Sequence, residues 1–307
     1  MEQGEAQNGV DSRSGILQTA KELVESPFPL RNQTWKETFC SWTRRIPIPD
    51  RPAVPLSGLY APTVVERISG SVVRAVIEGQ PVSFFVTTEL DTIMGQNAYG
   101  YFYEIEELAI IARHFRPGSI MLDVGANIGN HTIYAAKFLG ARRIICIEPN
   151  PEAIMILRIN VDLNQLHEQV DMRYLGLGLS DSPGAAVIAR TIAMNLGGVE
   201  LASQTGGSIR LFAGDELLQG QPIDFIKIDV EGMELAVLKG LERTIAECRP
   251  GIFVEVDNAH APAFHALVQH LGYAVVDRFN RYGTMENFML VPSEVNAIIT
   301  PKAPRSS

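Results

Sequence analysis

From Ser119 to about Pro292 the chain alternates short apolar runs with amphipathic stretches, and that alternation leaves few folds open to it. A run that is apolar on both sides must be covered on both sides, which a parallel sheet between two helical layers provides. The runs are IMLDV, RIICIEP, VDMRYLGL, DFIKIDV and GIFVEV, then AVVDRF and NFMLVP. They predict an α/β, Rossmann-like, mostly parallel seven-stranded sheet with helices on both faces. One intervening helix begins at Asn150-Pro151, an N-cap followed by proline in the first helical position, and turns Ile154, Leu157 and Val161 inward. A second is expected to carry Met233, Val237, Leu241 and Ile245, and a third Phe264, Leu267 and Leu271 before stopping at Gly272. Between about Ala185 and Phe212 the pattern weakens to strand-like pieces with glycine pairs, where regular alternation would hold a helix. That insertion is a candidate for shaping a substrate pocket, Asn195–Gly198 included.

Upstream, VVRAVI and VSFFV flank Glu78-Gly79-Gln80 and predict a hairpin. A helix is expected over Tyr103–Phe115, with Ile105, Leu108, Ala112 and Phe115 inward and Pro117-Gly118 as its stop. Before this lie a polar start and IPIPDRPAVP, whose prolines favour an extended connection. The net charge of −9 argues against a phosphate backbone as partner, since no basic cluster offsets it. Cys40, Cys146 and Cys248 have no metal-ligand or disulfide spacing, and Cys146 reads as a buried small hydrophobe. No apolar run is long enough to span a bilayer and no leader pattern is present, so a cytoplasmic location is expected.

The most informative stretch is MLDVGANIGNHT, residues 121–132, where an apolar strand runs into a glycine turn and then a helix. Gly125 permits a sharp bend and close backbone approach, and Gly129 is expected to let the helix start press on the strand. The next strand closes on Glu148, the usual place for a carboxylate that binds ribose hydroxyls. A dinucleotide fingerprint would need glycine where Asn127 and Asn130 stand, so the pattern fails at two of its three places. His131, just after the turn, has two places open to it, the pocket lining and the helix surface, of which the surface is expected.

A second constellation lies further on. IKIDVEGME puts Lys227 and Asp229 on one face of a strand and Ile226 and Ile228 on the other. Asp229 at the strand's end is a candidate base or orienting group. Glu231 and Glu234 would open the following helix, where the dipole alone accounts for Glu234. Glu255, Asp257, Asn258 and His260 stand at the next strand end. With Asp229 and Glu231 these acids would also suit a divalent cation, although metal-free sites carry such pairs too, and no metal is assigned.

Together the segments DVGANIG (123–129), IEPNP (147–151) with Asn160 and Asn164, GLSD (178–181) and DFIKIDVEGMELAVLKG (224–240) resemble the FkbM family of methyltransferases, as do Tyr103-Glu104 and Pro117-Gly118 upstream. The resemblance covers about residues 72–292. It implies a class I methyltransferase fold that uses S-adenosylmethionine (SAM) and methylates, most often on oxygen, a small metabolite, sugar or glycan. By the same resemblance Asp123, Gly125, Ala126, Asn127 and Gly129 cradle the methionine end. Glu148 takes the ribose, Pro149 and Asn150 shape the adenine edge, and Ser180 and Asp181 reach the adenine amino group. Asp229, Glu231 and Glu255 are the expected catalytic residues. Four segments are expected: an extension (1–60), partly disordered or helical, a hairpin-plus-helix cap (61–117), the SAM-binding domain (118–295) and a tail (296–307). Expected partners are a small-molecule or glycan acceptor, neither membrane nor nucleic acid, and a homo-oligomer is possible. Other readings stay open at this point: methylation of nitrogen or of RNA, a non-catalytic SAM-binding module, or a nicotinamide-dependent reductase.

Overall fold

The computed structural model describes residues 68–192, 195–281 and 283–294. The expectations for 1–60 and 296–307 lie outside them. The described residues belong to one unit, Arg67–Ser307.

A hairpin opens the described chain. Strands β1 (Ser71–Ile77) and β2 (Gln80–Val86) pair antiparallel through the two-residue loop Glu78-Gly79. Both loop residues have positive φ (48° and 78°), the twist that a tight hairpin requires. Two helices follow, α1 (Thr92–Asn97) and α2 (Ile105–His114). The first was not anticipated; Asp91 caps it, accepting from the amides of Ile93 and Met94. In α2 the inward face is Leu108, Ile110 and Ile111, with Phe115 beyond its end, whereas Ile105, expected inward, is exposed.

The main sheet contains β3 (Ile120–Val124), β4 (Arg143–Ile147), β5 (Val170–Asp171), β10 (Phe225–Ile228), β11 (Gly251–Asp257), β12 (Tyr273–Phe279) and β13 (Met285–Pro292). Their spatial order is β12-β13-β11-β10-β3-β4-β5, with β13 antiparallel to both its neighbours and the other pairings parallel. This is the seven-stranded, mostly parallel, Rossmann-like sheet that the sequence predicts. Alternate residues feed two cores. Met121, Ile144, Cys146, Phe225 and Phe253 pack under α2, α3 (Asn130–Lys137) and α4 (Pro151–Leu163). Leu122, Val124, Ile226, Ile228, Ile252 and Val254 pack under α6 (Glu234–Gly240), α7 (Glu242–Cys248) and α8 (Ala261–His270). The single helix expected over Met233–Ile245 is thus two, breaking at Leu241 (φ −108°).

The run VDMRYLGL is not one strand. Only Val170 and Asp171 pair with β4. Gly176 then takes φ 88° and donates to the Glu148 carbonyl, turning the chain into a second sheet. That sheet holds β6 (Leu177–Ser180), β7 (Gly184–Ile192), β8 (Asn195–Ser203) and β9 (Ile209–Ala213) in the order β6-β9-β7-β8, and α5 (Gly214–Leu218) follows it. The insertion is therefore a small sheet.

Asn160, buried on α4, and Asn164, buried at its C-terminal cap, hold the hairpin to the main domain. Asn160 accepts from the Phe85 amide (2.7 Å) and donates to the Ile128 carbonyl (2.8 Å). Asn164 accepts from the Ser83 amide and donates to its carbonyl. A polar side chain on an otherwise apolar helix face is tolerable because each polar atom is matched.

Candidate active site

The turn after β3 places three left-handed residues in alternation: Gly125 (φ 76°), Asn127 (φ 49°) and Gly129 (φ 92°). At Gly125 a Cβ would lie 1.8 Å from the Asp229 carbonyl, so only glycine lets the turn pass the end of β10. At Gly129 a Cβ would meet Leu157 Cδ1 at 2.6 Å. The close packing there is against α4, not the strand as the sequence suggested. The amides of Gly125 and Ala126 both donate to the Ile147 carbonyl.

Glu148 ties this turn to the next one. One carboxylate oxygen accepts from the Asn127 amide and the other from the Asn150 amide, both at 2.8 Å. Burial pushes its pKa up to about 7, while those two amides favour the charged form. Asn150 caps α4, accepting from the Glu152 amide, and its Nδ2 donates to the Leu196 carbonyl of β8. Its side chain joins the insertion to the turn.

Beneath the turn lies a row of charges on one sheet face. Lys227 pairs in register with Asp123 across β10 and β3. Its ammonium, only 3% exposed, donates to the Gly125 carbonyl (2.7 Å) and lies 3.1 Å from Asp229 Oδ2 and 3.6 Å from Asp123 Oδ1. Burial opposes that charge, but Asp229 and Asp123 outweigh it and raise the lysine pKa. Asp123 is fully buried: Oδ2 accepts from the Thr132 hydroxyl at 2.6 Å, while Oδ1 has no hydrogen-bond partner. Asp229 is 37% exposed on its side chain. Lys227 holds its pKa below the usual carboxylate range despite burial. Glu255, the next acid on this face, accepts from Asn287 at 3.3 Å. Burial, then Asp229, push its pKa up to about 9.

Two further residues join to which the sequence pattern assigned no site role. Glu104 precedes α2 in a left-handed conformation (φ 59°). Asn130 fixes it there by bonding both the amide and the carbonyl of Tyr103. Its pKa is pushed up to about 8 by burial first and Asp229 second. His131, expected on a helix surface, is buried; its Nε2 stands 3.8 Å from Glu104 without a hydrogen bond. Burial drives its pKa down to about 3, so the imidazole is neutral. Glu234 is also buried rather than a solvated helix-start charge, accepting from the Gly232 amide (2.7 Å) with its other oxygen 3.8 Å from His260 Nδ1.

At the carboxyl ends of β3, β4 and β10 an open cleft is lined by Gly125, Glu148, Pro149, Asp229 and Glu231, together with residues of the insertion such as Gly197 and Leu201. Five of the residues singled out by sequence thus meet in one place, at the strand ends where open α/β sheets bind ligands. The other residues expected to hold the donor or take part in catalysis do not line it. Ala126, Asn127 and Gly129 build the turn behind it, and Asp123 and Glu255 stand below with Lys227. Ser180 sits at the end of β6. Asp181 is exposed and accepts from the Ser182 hydroxyl (3.0 Å), as turn chemistry alone would arrange.

Comparison with known proteins bears on what such a cleft does. The family described as the methyltransferase FkbM domain matches residues 123–283. The hexuronic acid methyltransferase AglP of Haloferax volcanii is 27% identical over 145 residues, covering 46% of this chain and 58% of its own length. Methyltransferase sdnD of Sordaria araneosa is 28% identical over 192 residues, covering 50% of this chain and 73% of its own. Among solved structures, the FkbM methyltransferase of Methylobacillus flagellatus is similar at 16% identity and a TM-score of 0.40, over 64% of this chain and 52% of that one.

Proposed function

Because the chain belongs to the FkbM methyltransferase family, we propose that it moves a methyl group to a hydroxyl oxygen of a small metabolite, sugar or glycan. The methyl donor is S-adenosylmethionine, as the family implies. When bound, that donor supplies an already reactive methyl on a sulfonium. The protein's work is then to hold the acceptor oxygen in line and keep water out.

The observation that supports this reading best is the meeting of Gly125, Glu148 and Asp229 around one cleft. Its residues suit the donor chemically. Glu148 is an acceptor for ribose hydroxyls, and Gly178 and Gly197 stand in the cleft wall. Behind and below the cleft, Asn127 Oδ1 and Asp123 Oδ1 are buried without a hydrogen-bond partner, which favours positive charge on that side of it. In this proposal Gly125, Ala126, Asn127 and Gly129 form the methionine cradle, and Asp123 acts on it through Lys227. Pro149 and Asn150 form the wall beyond Glu148. Ser180 and Asp181 keep only a distant adenine role. Asp229, partly exposed in the cleft, takes or orients the acceptor's proton, with Glu255 on the same sheet face and Glu231 at the rim. Residues 118–295 form the SAM-binding domain and the hairpin with its helices the cap.

The test is a screen of sugars, glycosides and small hydroxylated metabolites with methyl-labelled donor. Label on an oxygen that is lost in Asp229→Asn supports the proposal. Label found on nitrogen alone would replace it.

A further inference from the structure

Leu196 is gripped at both of its backbone groups by buried side chains from two distant parts of the chain. Its amide donates to Asp91 Oδ2 at 2.7 Å, and its carbonyl accepts from Asn150 Nδ2 at 3.1 Å. Asp91 and Asn150 are only 3% and 7% exposed. Each also caps a helix with its other oxygen. Asp91 Oδ1 accepts from the Ile93 and Met94 amides that open α1, and Asn150 Oδ1 from the Glu152 amide of α4. A cap needs one oxygen, which serine supplies as well as aspartate does. Capping alone therefore leaves the second half of each side chain unexplained.

Leu196 needs outside anchors because of where it stands. Strand β8 is at the edge of the small sheet. Its register on β7 steps from Ile192 opposite Asn195 to Thr191 opposite Val199, so that Leu196, Gly197 and Gly198 bulge from the ladder. A bulge in an edge strand is held poorly by its own sheet. The Leu196 side chain packs on the core that α2, α3 and α4 cover, which adds a third point of attachment. Gly197, the next residue, lines the cleft beside Gly125, Glu148 and Asp229, as does Leu201 further along the strand. The connection runs on into the cleft, because the Asn150 amide donates to Glu148 at 2.8 Å.

We propose that Asp91, acting with Asn150 through Leu196, is a positioning residue for methyl transfer: it pins the bulge of the insertion and so holds the Gly197 wall of the cleft in place for the donor. This rests on the cleft being the donor site. Without the grip, the bulge visits arrangements in which the wall is displaced. The apparent donor affinity then falls in proportion to the fraction of molecules that stay competent.

The experiment replaces Asp91 with serine in the full chain, keeping an oxygen for α1 and removing the one that holds Leu196. Hydrogen exchange read by mass spectrometry should then be faster over residues 195–203, the span of β8, and unchanged over 93–97 in α1. Calorimetry should show S-adenosylmethionine binding weakened on the order of tenfold, the contribution of one hydrogen bond to a charged group, while circular dichroism shows the fold retained. Asn150→Ser likewise keeps its cap and should speed the same stretch of β8, which gives a second reading if Asp91→Ser does not fold. The unaltered protein gives a third, since saturating donor should slow exchange over 195–203. Faster exchange confined to 93–97 would make Asp91 a helix cap and nothing more. That result, an undiminished donor affinity in Asp91→Ser, or a bound donor that leaves 195–203 unprotected, overturns the inference with the donor site intact. If the unaltered chain binds no S-adenosylmethionine, the donor-site reading fails and takes this inference with it.

Discussion

The Lys227 ammonium donates to the Gly125 carbonyl at 2.7 Å, tying the strand that carries Asp229 to the glycine turn beside it. The bond explains why a lysine stands in the otherwise apolar sequence of β10. It neutralises Asp123 and Asp229 and also fixes the turn's outward bend.

Removing that lysine should be costly. Lys227→Met keeps the stem but leaves Asp123 fully buried opposite no cation. Losing one partner of a buried pair destabilises by roughly 3–5 kcal/mol. Urea unfolding should show a loss of that size, and a midpoint within error of the unaltered protein would refute the assignment.

Two glycines with nearly equal φ provide a controlled comparison. Gly79→Ala, at φ 78° with nothing near its Cβ, should cost about 1 kcal/mol. Gly125→Ala, at φ 76° with the Asp229 carbonyl 1.8 Å away, should cost at least about 3 kcal/mol and abolish donor binding. Equal costs in thermal unfolding would mean that the turn does not press on β10.

Glu234 sets a pH dependence. Burial raises its pKa to about 7 from the ordinary 4.5. The folded state therefore holds the proton more firmly than the unfolded chain does. This contribution to stability is fully present below about pH 4.5 and is lost as pH rises through 7, roughly 3 kcal/mol in all. Glu234→Gln keeps an acceptor for the Gly232 amide and removes the ionisation. Its stability measured from pH 5 to about 8 should fall less steeply than that of the unaltered protein. Parallel curves would contradict the assignment.

Asp229→Asn should lower kcat by about 10²–10⁴, the range of general acid–base contributions. Donor affinity should fall far less, by on the order of tenfold, from the charge removed. Equal losses in turnover and in calorimetric affinity would argue against a role in handling the acceptor's proton.

How legible this site was depends on the range of the forces that made it. The ends of β3, β4 and β10 follow from local pattern, and Asn150 caps α4 as its neighbour Pro151 suggested. The even spacing of Lys227 and Asp229 gave their shared face. Glu104 was hidden because a non-local clamp, Asn130 on Tyr103, holds it in a left-handed conformation. The burial of His131 and Glu234 was hidden because helix position alone does not say what covers a side chain. VDMRYLGL read as one strand because its residues suit one. Only β4, paired with just two of them, and the bend at Gly176 decide otherwise.

The most direct measurement is a calorimetric titration of S-adenosylmethionine into the unaltered chain and into Glu148→Ala. Hydrogen bonds to a charged group contribute about 1.5–3 kcal/mol, so affinity should fall roughly ten- to hundredfold while circular dichroism shows the fold retained. Undiminished affinity in Glu148→Ala would mean that the donor lies elsewhere than the cleft joining Gly125, Glu148 and Asp229.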